Sequence, residues 1–537
     1  MKNNLIRRRK FLGGAAAIAG LNLLSVNESA GANTDDIAAD LPIYNVYNYD
    51  ISGDGSTMNT EAFQNLIDLC SKNGGGTVFF PPGDFLTGTF ELKNNVNIFL
   101  SPGTKIWGSQ NKKDYKHDCL VYAADAKNIS IKGFGTIHGN GKAFWEKRLH
   151  EDGDWKWAVK SWRPNRMFQF FRCENLRLHN FTIEQSPSWT IHPIDCHRVV
   201  INGIVIMNGL YEDDGPNTDG INPDGCTNVL ISDCCLLCGD DCIVLKITEQ
   251  SQTKVCRDIV VTNCVLQTSQ TGLKIGTETH GTFKNITFSN CTVFDSGGGF
   301  ALIMRDGGLI DGVVVNNISI HATTPKQMDG QGIYLWSHKR TEDTPWGMIR
   351  NVLISNMTIY AAGGIFISGA KEKHIEGLTL KNIRINISGG RFTTEHENPS
   401  DPFTVFGHFT APYDIFCRYV DDLKLSNVQI SWPESEDERF GSALRCWSVN
   451  DLEIDGFRGR QSLNSNAPAI SFKNVNSAFV HNCNIPNNTD TVFDIDNDSR
   501  QITILGNDFG KARKLYVNSW NTTEIFESSN RLPNAKD

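Results

Sequence analysis

The sequence is short of basic charge, of helical periodicity and of long apolar runs, and each shortage excludes something. Lys and Arg number 51 against 60 Asp and Glu, a formal net charge of −9. That balance argues against a general nucleic-acid binder, because the electrostatic term that drives phosphate contact has the wrong sign. Helical patterning is scarce after residue 75, which removes the all-α classes and the helical solenoids. The only apolar run lies at the start, from Gly13 to Leu24 behind Arg7-Arg8-Arg9-Lys10-Phe11-Leu12, with small residues at Ala30-Gly31-Ala32. A bilayer span needs about 20 apolar residues, so residues 1–32 read as a twin-arginine signal peptide and not as a membrane anchor. Export to the periplasm or the medium is expected, with no membrane anchor once the signal is removed.

Cysteine is plentiful, at 15 residues, yet no disulfide framework is expected. Cys234, Cys264 and Cys291 each follow Asp or Asn in Ile-Ser-Asp-Cys, Val-Thr-Asn-Cys and Phe-Ser-Asn-Cys. Such recurrence suits buried thiols at one repeated position. Cys235-Leu-Leu-Cys238 has no second Cys or His pair at zinc spacing, so no metal site is expected there.

The repeat decides the fold class. An apolar-x-apolar-x-Asn phrase places Asn or Asp at 202, 233, 263, 290, 317, 356, 382 and 427, spaced 31, 30, 27, 27, 39, 26 and 45 residues apart. A period near 27 to 31 with loop insertions is a solenoid signature. Each unit carries short alternating runs such as Asn228-Val-Leu-Ile-Ser-Asp233, bounded by turn residues. The expectation is an all-β protein, a parallel β-helix whose coils lie about 4.8 Å apart, with the recurring Asn forming a ladder at a tight turn. Thr60 to Ser71 is expected as an amphipathic N-terminal capping helix, with Asn59 or Thr60 as N-cap, and Thr77 to Phe80 as the first strand. Long loop insertions are expected at Asn140 to Met167, His321 to Met348 and Arg391 to Cys417. The expected division is a cap with first coils over 33–110, a catalytic β-helix over 111–500 and an end segment over 501–537.

Acidic residues form the most informative constellation. Asn217-Thr218-Asp219-Gly220 leads into Ile221, and Gly239-Asp240-Asp241-Cys242 leads into Ile243 to Ile247. Aligning the two strand entries superposes Asp219 on Asp241, with Asp240 level with Thr218. Stacked carboxylates cannot all ionise independently, so at least one raised pKa is expected. That suits glycoside hydrolysis, in which one protonated acid serves the leaving oxygen and ionised partners activate water. Turn chemistry alone would explain either motif singly, but not both in one register.

The chain here resembles glycoside hydrolase family 28, the polygalacturonase family of single-stranded right-handed parallel β-helices (solenoids). The resemblance rests on Gly53-Asp54-Gly55, Gly74-Gly75-Gly76-Thr77-Val78, Arg163-Pro164-Asn165-Arg166, Ser186 to Pro193, Asn-Thr-Asp and Gly-Asp-Asp, within residues 43 to 485. It implies Asp240 as general acid, Asp219 and Asp241 as holders of the attacking water, and hydrolysis with inversion. The family's Gly-His-Gly falls at Gln270-Thr271-Gly272, leaving Thr271 in place of histidine. Its Arg-Ile-Lys falls near Ala301-Leu302-Ile303, leaving Arg305 as the nearest cation.

The expected substrate is an acidic, pectic polysaccharide or oligosaccharide. Candidate substrate-binding residues are Lys246, Lys274, His192, Asn217, Thr271, His280 and Arg305, with the basic loop His338-Lys339-Arg340 also within reach. Proton transfer and water positioning need no cofactor and no metal, and a monomer is expected. Two rivals stay open. One is a calcium-dependent β-helical lyase in which the same aspartates bind the ion and Asp213, Asp214 and Asp224 enlarge the acidic supply, though the residue eleven after Asp214 is Gly225, so no EF-hand loop ends there. The other is a non-catalytic carbohydrate-binding β-helix.

Overall fold

Three parallel sheets run through the described residues, because successive coils contribute strands to each sheet and pair with one another in register. The computed structural model describes residues 42–150, 155–209, 215–323, 330–388, 413–432, 440–517 and 524–533. The expected export signal, Asp213, Asp214 and most of the third insertion lie outside these. Sheet A stacks Arg166–Phe171, Trp189–Ile194, bridges at Ile221 and Asp224, Ile243–Ile247, Thr271–Thr279, Gly298–Met304 and Gln331–Ser337, and continues beyond. Sheet B stacks Thr227–Ser232 on Val255–Thr262 and Thr282–Ser289, and sheet C stacks Cys235–Cys238 on Val265–Thr268. This is the expected parallel β-helix.

The core follows from alternation. Ile201, Ile231, Val261, Phe288, Val315 and Ile354 occupy one register position of sheet B on successive coils, and all are buried. Each such side chain contributes about 1.5–3 kcal/mol over its exposed state. A one-residue slip would turn the whole file outward, so the register is strongly specified.

The turn between sheets B and C carries the predicted ladder. Asp233, Asn263, Asn290, Asn317, Asn356, Asn382 and Asn427 all have left-handed backbone, φ from 51° to 58°. Asn317 donates to the Asn290 side-chain oxygen at 2.8 Å, Asn382 to Asn356 at 2.9 Å and Asn427 to Asn382 at 3.0 Å. Asn202 is a correction. It pairs with Ser232, so Gly203, at φ 65°, holds the turn position in that coil. Glycine takes left-handed geometry without a side-chain bond, which hid it from the Asn pattern. Asn202 instead donates to the Asp233 carboxylate at 2.8 Å.

The cysteines behave as expected, unbridged and all but Cys235 buried. Cys234, Cys264 and Cys291 stand one behind another beside the ladder. A second file, Cys173, Cys196, Cys226 and Cys256, enters sheet B, where the Cys173 amide donates to Cys196 Sγ at 3.3 Å.

Helix α1, Thr60–Lys72, buries Phe63, Leu66, Ile67 and Cys70 against the first coils. Phe63 packs edge-on to Phe80 at 5.0 Å between ring centroids. Asn59 is the N-cap residue, but its side chain makes no capping bond; it exchanges hydrogen bonds with Ser52 and donates to Thr57 and Leu86 carbonyls. A strand at Asp54–Met58 precedes the expected first strand, which itself spans Gly76–Phe80. Two insertions are also more regular than expected. Asn140 to Met167 contains an antiparallel hairpin, Trp145–Leu149 with Trp155–Val159, and His321 to Met348 contains a full sheet A rung, Gln331–Ser337.

Asn290→Ala should lower the thermal midpoint more than Asn290→Gly, since alanine keeps the left-handed strain of about 1–2 kcal/mol that glycine avoids and both lose the ladder bonds. Equal midpoints for the two variants in a melting scan would contradict this role for the ladder.

Candidate active site

The two acidic motifs sit where coils leave sheet C and enter sheet A. Ile221 bridges Ile243, and the Gly220 amide donates to the Asp241 carbonyl at 2.9 Å. The same pairing sets Asp219 above Asp241, and the pairing of Ile243 with Leu273 sets Asp241 above Thr271. Cys238, Cys242 and Ile243 turn into the core, whereas the carboxylates turn outward with Lys246 and Lys274. One oxygen from each of Asp219, Asp240 and Asp241 lies within 4.8 Å of the others. Asp219 and Asp241 are buried, at 2% and 4% exposure, while Asp240 is half-buried.

One glycine and an indole hold this turn. Gly215 accepts from the Thr218 hydroxyl at 2.8 Å, and a Cβ on Gly215 would meet the Trp145 ring at 2.0 Å. Trp145, from the hairpin insertion, donates its indole N–H to Pro187 at 3.0 Å.

Charge is arranged unequally among the three acids. Burial, then the charges of Asp240 and Asp241, hold the Asp219 carboxyl well above its usual range, against the pull of Lys246 and Lys274. Burial and the Asp241 charge push Asp240 up to about 6, with Lys274, the Asp241 amide and Lys246 opposing. Lys274 Nζ lies 2.8 Å from Asp241 Oδ2, and the Thr271 amide donates to Asp241 Oδ1 at 3.2 Å. Two buried polar groups here lack a protein partner among the described residues: the Asn222 amide and the Thr271 hydroxyl.

The other sequence candidates divide. Lys246 and Lys274 both join the carboxylates, and neither is a solvated face. Lys246 Nζ sits 2.8 Å from Glu278, 4.0 Å from Asp219 and 4.4 Å from the Trp189 ring centroid. Burial alone would lower its pKa, but Glu278 and Asp219 raise it above the usual value. His192 is buried beside Trp189. Its Nδ1 accepts from Arg166 Nε at 2.9 Å and its Nε2 faces Asp224 at 3.1 Å. Burial lowers its pKa, in keeping with an Nδ1 that accepts from Arg166 and so carries no proton. Asn217, exposed and left-handed at φ 54°, accepts from Arg163 at 2.9 Å.

His280 and Arg305 stand apart from the acids. His280 Nε2 lies 3.9 Å from Asp306, and Arg305 is fully buried with its amide bonded to the Thr279 hydroxyl at 2.9 Å. Both belong to a neighbouring cluster in which Arg340 binds Asp306 at 2.6 Å and 3.0 Å.

Four functional-looking residues escape the sequence patterns: Glu278, Arg340, Arg163 and Arg166. Glu278 reaches Lys246 only because sheet A has a bulge: Leu245 pairs with Ile275 but Ile247 pairs with Thr279. Burial works against its charge, yet Lys246, Lys274 and Arg340 hold its pKa well below the usual carboxylate value. Arg340 was visible only as part of a basic loop. Arg163 and Arg166 were visible as a motif but carried no assigned role.

The pattern of glycosyl hydrolases family 28 matches residues 70–404. The chain is 32% identical over 216 residues to a probable polygalacturonase of Vitis vinifera, covering 36% of this chain and 42% of that one. It is 23% identical over 368 residues to an endo-polygalacturonase of Pectobacterium carotovorum subsp. carotovorum, covering 62% and 86%. The chain spans about half the length of the first curated relatives it matches. A crystal structure of a hyperthermoactive exopolygalacturonase from Thermotoga maritima shares the fold, with TM-score 0.58, 21% identity, and 73% of this chain and 92% of that one covered. The chain belongs to glycosyl hydrolases family 28.

Proposed function

We propose that this chain is an exported glycoside hydrolase that cleaves a glycosidic bond of an acidic, pectic, galacturonate-containing saccharide by single displacement. The observation that carries the reading is the convergence of three carboxylates within 4.8 Å, one of them half-buried and raised to about 6. Asp240 donates its proton to the glycosidic oxygen as the C1–O bond breaks. Water held by Asp219 and Asp241 attacks C1 and passes its proton to that pair. Lys274 pairs with the Asp241 carboxylate at 2.8 Å, and Lys246, 4.0 Å from Asp219, opposes the rise that burial imposes on the Asp219 carboxyl.

The nearest-oxygen spacing is shorter than the roughly 6.5–9.5 Å common for inverting pairs and closer to the retaining value. Two carboxylates on successive coils aimed at one point nevertheless suit a bound water better than a single attacking oxygen. Inversion is therefore expected, and NMR of the first product before mutarotation reads the anomer directly.

One observation favours a second reading: the same three oxygens could hold a cation, as the calcium-dependent lyase requires. Lys274 at 2.8 Å already occupies the Asp241 side of that cluster, which favours hydrolysis. Ultraviolet-absorbing products lost on chelation would instead establish the lyase. A non-catalytic binder would show no new reducing ends.

Work outside the cytoplasm belongs to the same proposal and rests on the Arg-Arg-Arg-Lys-Phe-Leu start. Among the described residues no helix is long and apolar enough to cross a membrane. The division at 33–110, 111–500 and 501–537 and a monomeric state are proposed with it.

Asp240→Asn should cut turnover by about 10²–10⁴-fold while leaving the thermal midpoint nearly unchanged, measured by reducing-end release and melting. Because Asp240 must carry its proton, kcat should fall as pH rises through about 6. Lys274 lowers the Asp240 pKa, so Lys274→Met should move that falling limb to higher pH; a limb that stays put removes Asp240 as the titrating acid. His280→Ala should cost less rate than Asp219→Ala, since His280 faces Asp306.

A further inference from the structure

The cations around the carboxylates are mostly committed. Lys274 pairs with Asp241, Lys246 with Glu278, and Arg340 with Asp306. Arg163 and Arg166 differ. Arg163 donates to the Pro187 carbonyl at 3.0 Å, to the Pro216 carbonyl and to Asn217 Oδ1. Arg166 donates to His192 Nδ1 and to the Asn165 carbonyl at 2.6 Å, and lies over the Trp189 ring at 3.7 Å. Every one of these acceptors is neutral, and each guanidinium keeps N–H groups that no described protein atom accepts.

Two partly buried guanidinium groups without a paired carboxylate carry a desolvation cost. Burial lowers the pKa of both, that of Arg166 to about 10. Both also feel the acids: Asp219 and Asp240 act on Arg163, and Asp219 and Asp224 on Arg166. Trp189 and Asn217 fix where the two forks lie.

We propose that Arg163 and Arg166 form the anion-recognition site for the substrate, gripping the carboxylate of a galacturonate ring beside Asp240. The inference rests on the hydrolase reading above and deepens it. Thr271 and Ala301, on the coils following Asp241, offer no charge to an anionic sugar. Carboxylate binding therefore falls to the coil two before Asp219, next to the Trp189 coil, where planar forks suit a planar anion in a way an ammonium does not. It also supplies the local positive strip that a net charge of −9 otherwise opposes.

The test compares trigalacturonate with its methyl ester, which keeps the shape and loses the charge. Arg163→Gln and Arg166→Gln should each reduce the acid-to-ester ratio of kcat/KM at least about tenfold, mainly through KM. Arg163→Lys, which keeps charge but loses the fork, should recover only part of it and serves if a Gln variant fails to fold. Parallel losses on both substrates would mean that the arginines merely brace Asn217 and His192, and would overturn the proposal, as would an unchanged ratio. If the wild type cleaves neither substrate, the hydrolase reading fails by itself. Calorimetric binding of digalacturonate to wild type and variants then decides the fork separately: weaker binding by the variants supports it, and equal or absent binding overturns it.

Discussion

In-register stacking of parallel coils is the constraint on which the rest depends. Neighbouring strands at about 4.8 Å place equivalent residues of successive coils in side-chain contact. Inside the tube this builds the aliphatic file from Ile201 to Ile354 and the two cysteine files. At the turn between sheets B and C it builds the Asn ladder. Outside, at the entry to sheet A, it brings Asp219 onto Asp241. The scaffold and the candidate chemistry are thus one device, because a register that buries the apolar file also forces like charges together.

Forcing them together has an electrostatic consequence. Three carboxylates in partial burial cannot all be ionised at ordinary cost, and the protein resolves this asymmetrically. Lys274 lies against Asp241; Asp219, with Lys246 only at 4.0 Å, is held well above its usual range by burial; and Asp240, the half-exposed member, has no cation at bonding distance among the described residues and is raised to about 6. Lys246 is itself held by Glu278, and Arg340 lies 3.9 Å from Glu278 while binding Asp306 directly. A file of alternating charge therefore runs from the acids along sheet A, and it fixes Lys246 against Trp189. Exposure and partnering, not residue type, set the half-exposed Asp240 apart from its two buried neighbours.

The long insertions also serve this site. Trp145 on the hairpin occupies space that only glycine at 215 leaves open, and it shares the Pro187 carbonyl with Arg163. The coil before Asp219 is thereby tied to the turn that presents the acids. Arg166, His192, Asp224 and Thr248 form a second chain of hydrogen bonds beneath Trp189.

The solenoid, the ladder turn, the buried thiols and the stacking of Asp219 on Asp241 were legible in the sequence, because a parallel β-helix repeats one local rule per coil and its register is written in apolar alternation. Even the position of Thr271, one coil after Asp241 and level with it, could be read by counting. What could not be read is whatever breaks the repeat. Gly203 carries no side chain to mark its turn, and the bulge after Leu245 shifts Glu278 onto Lys246. The folded chain alone decided that His280 and Arg305 gather around Arg340 and Asp306, away from the acids, and that Arg163 and Arg166 face neutral acceptors. Spacing along one strand fixes which coil a residue joins, but side-chain direction and counter-charge depend on bulges and loops that have no period.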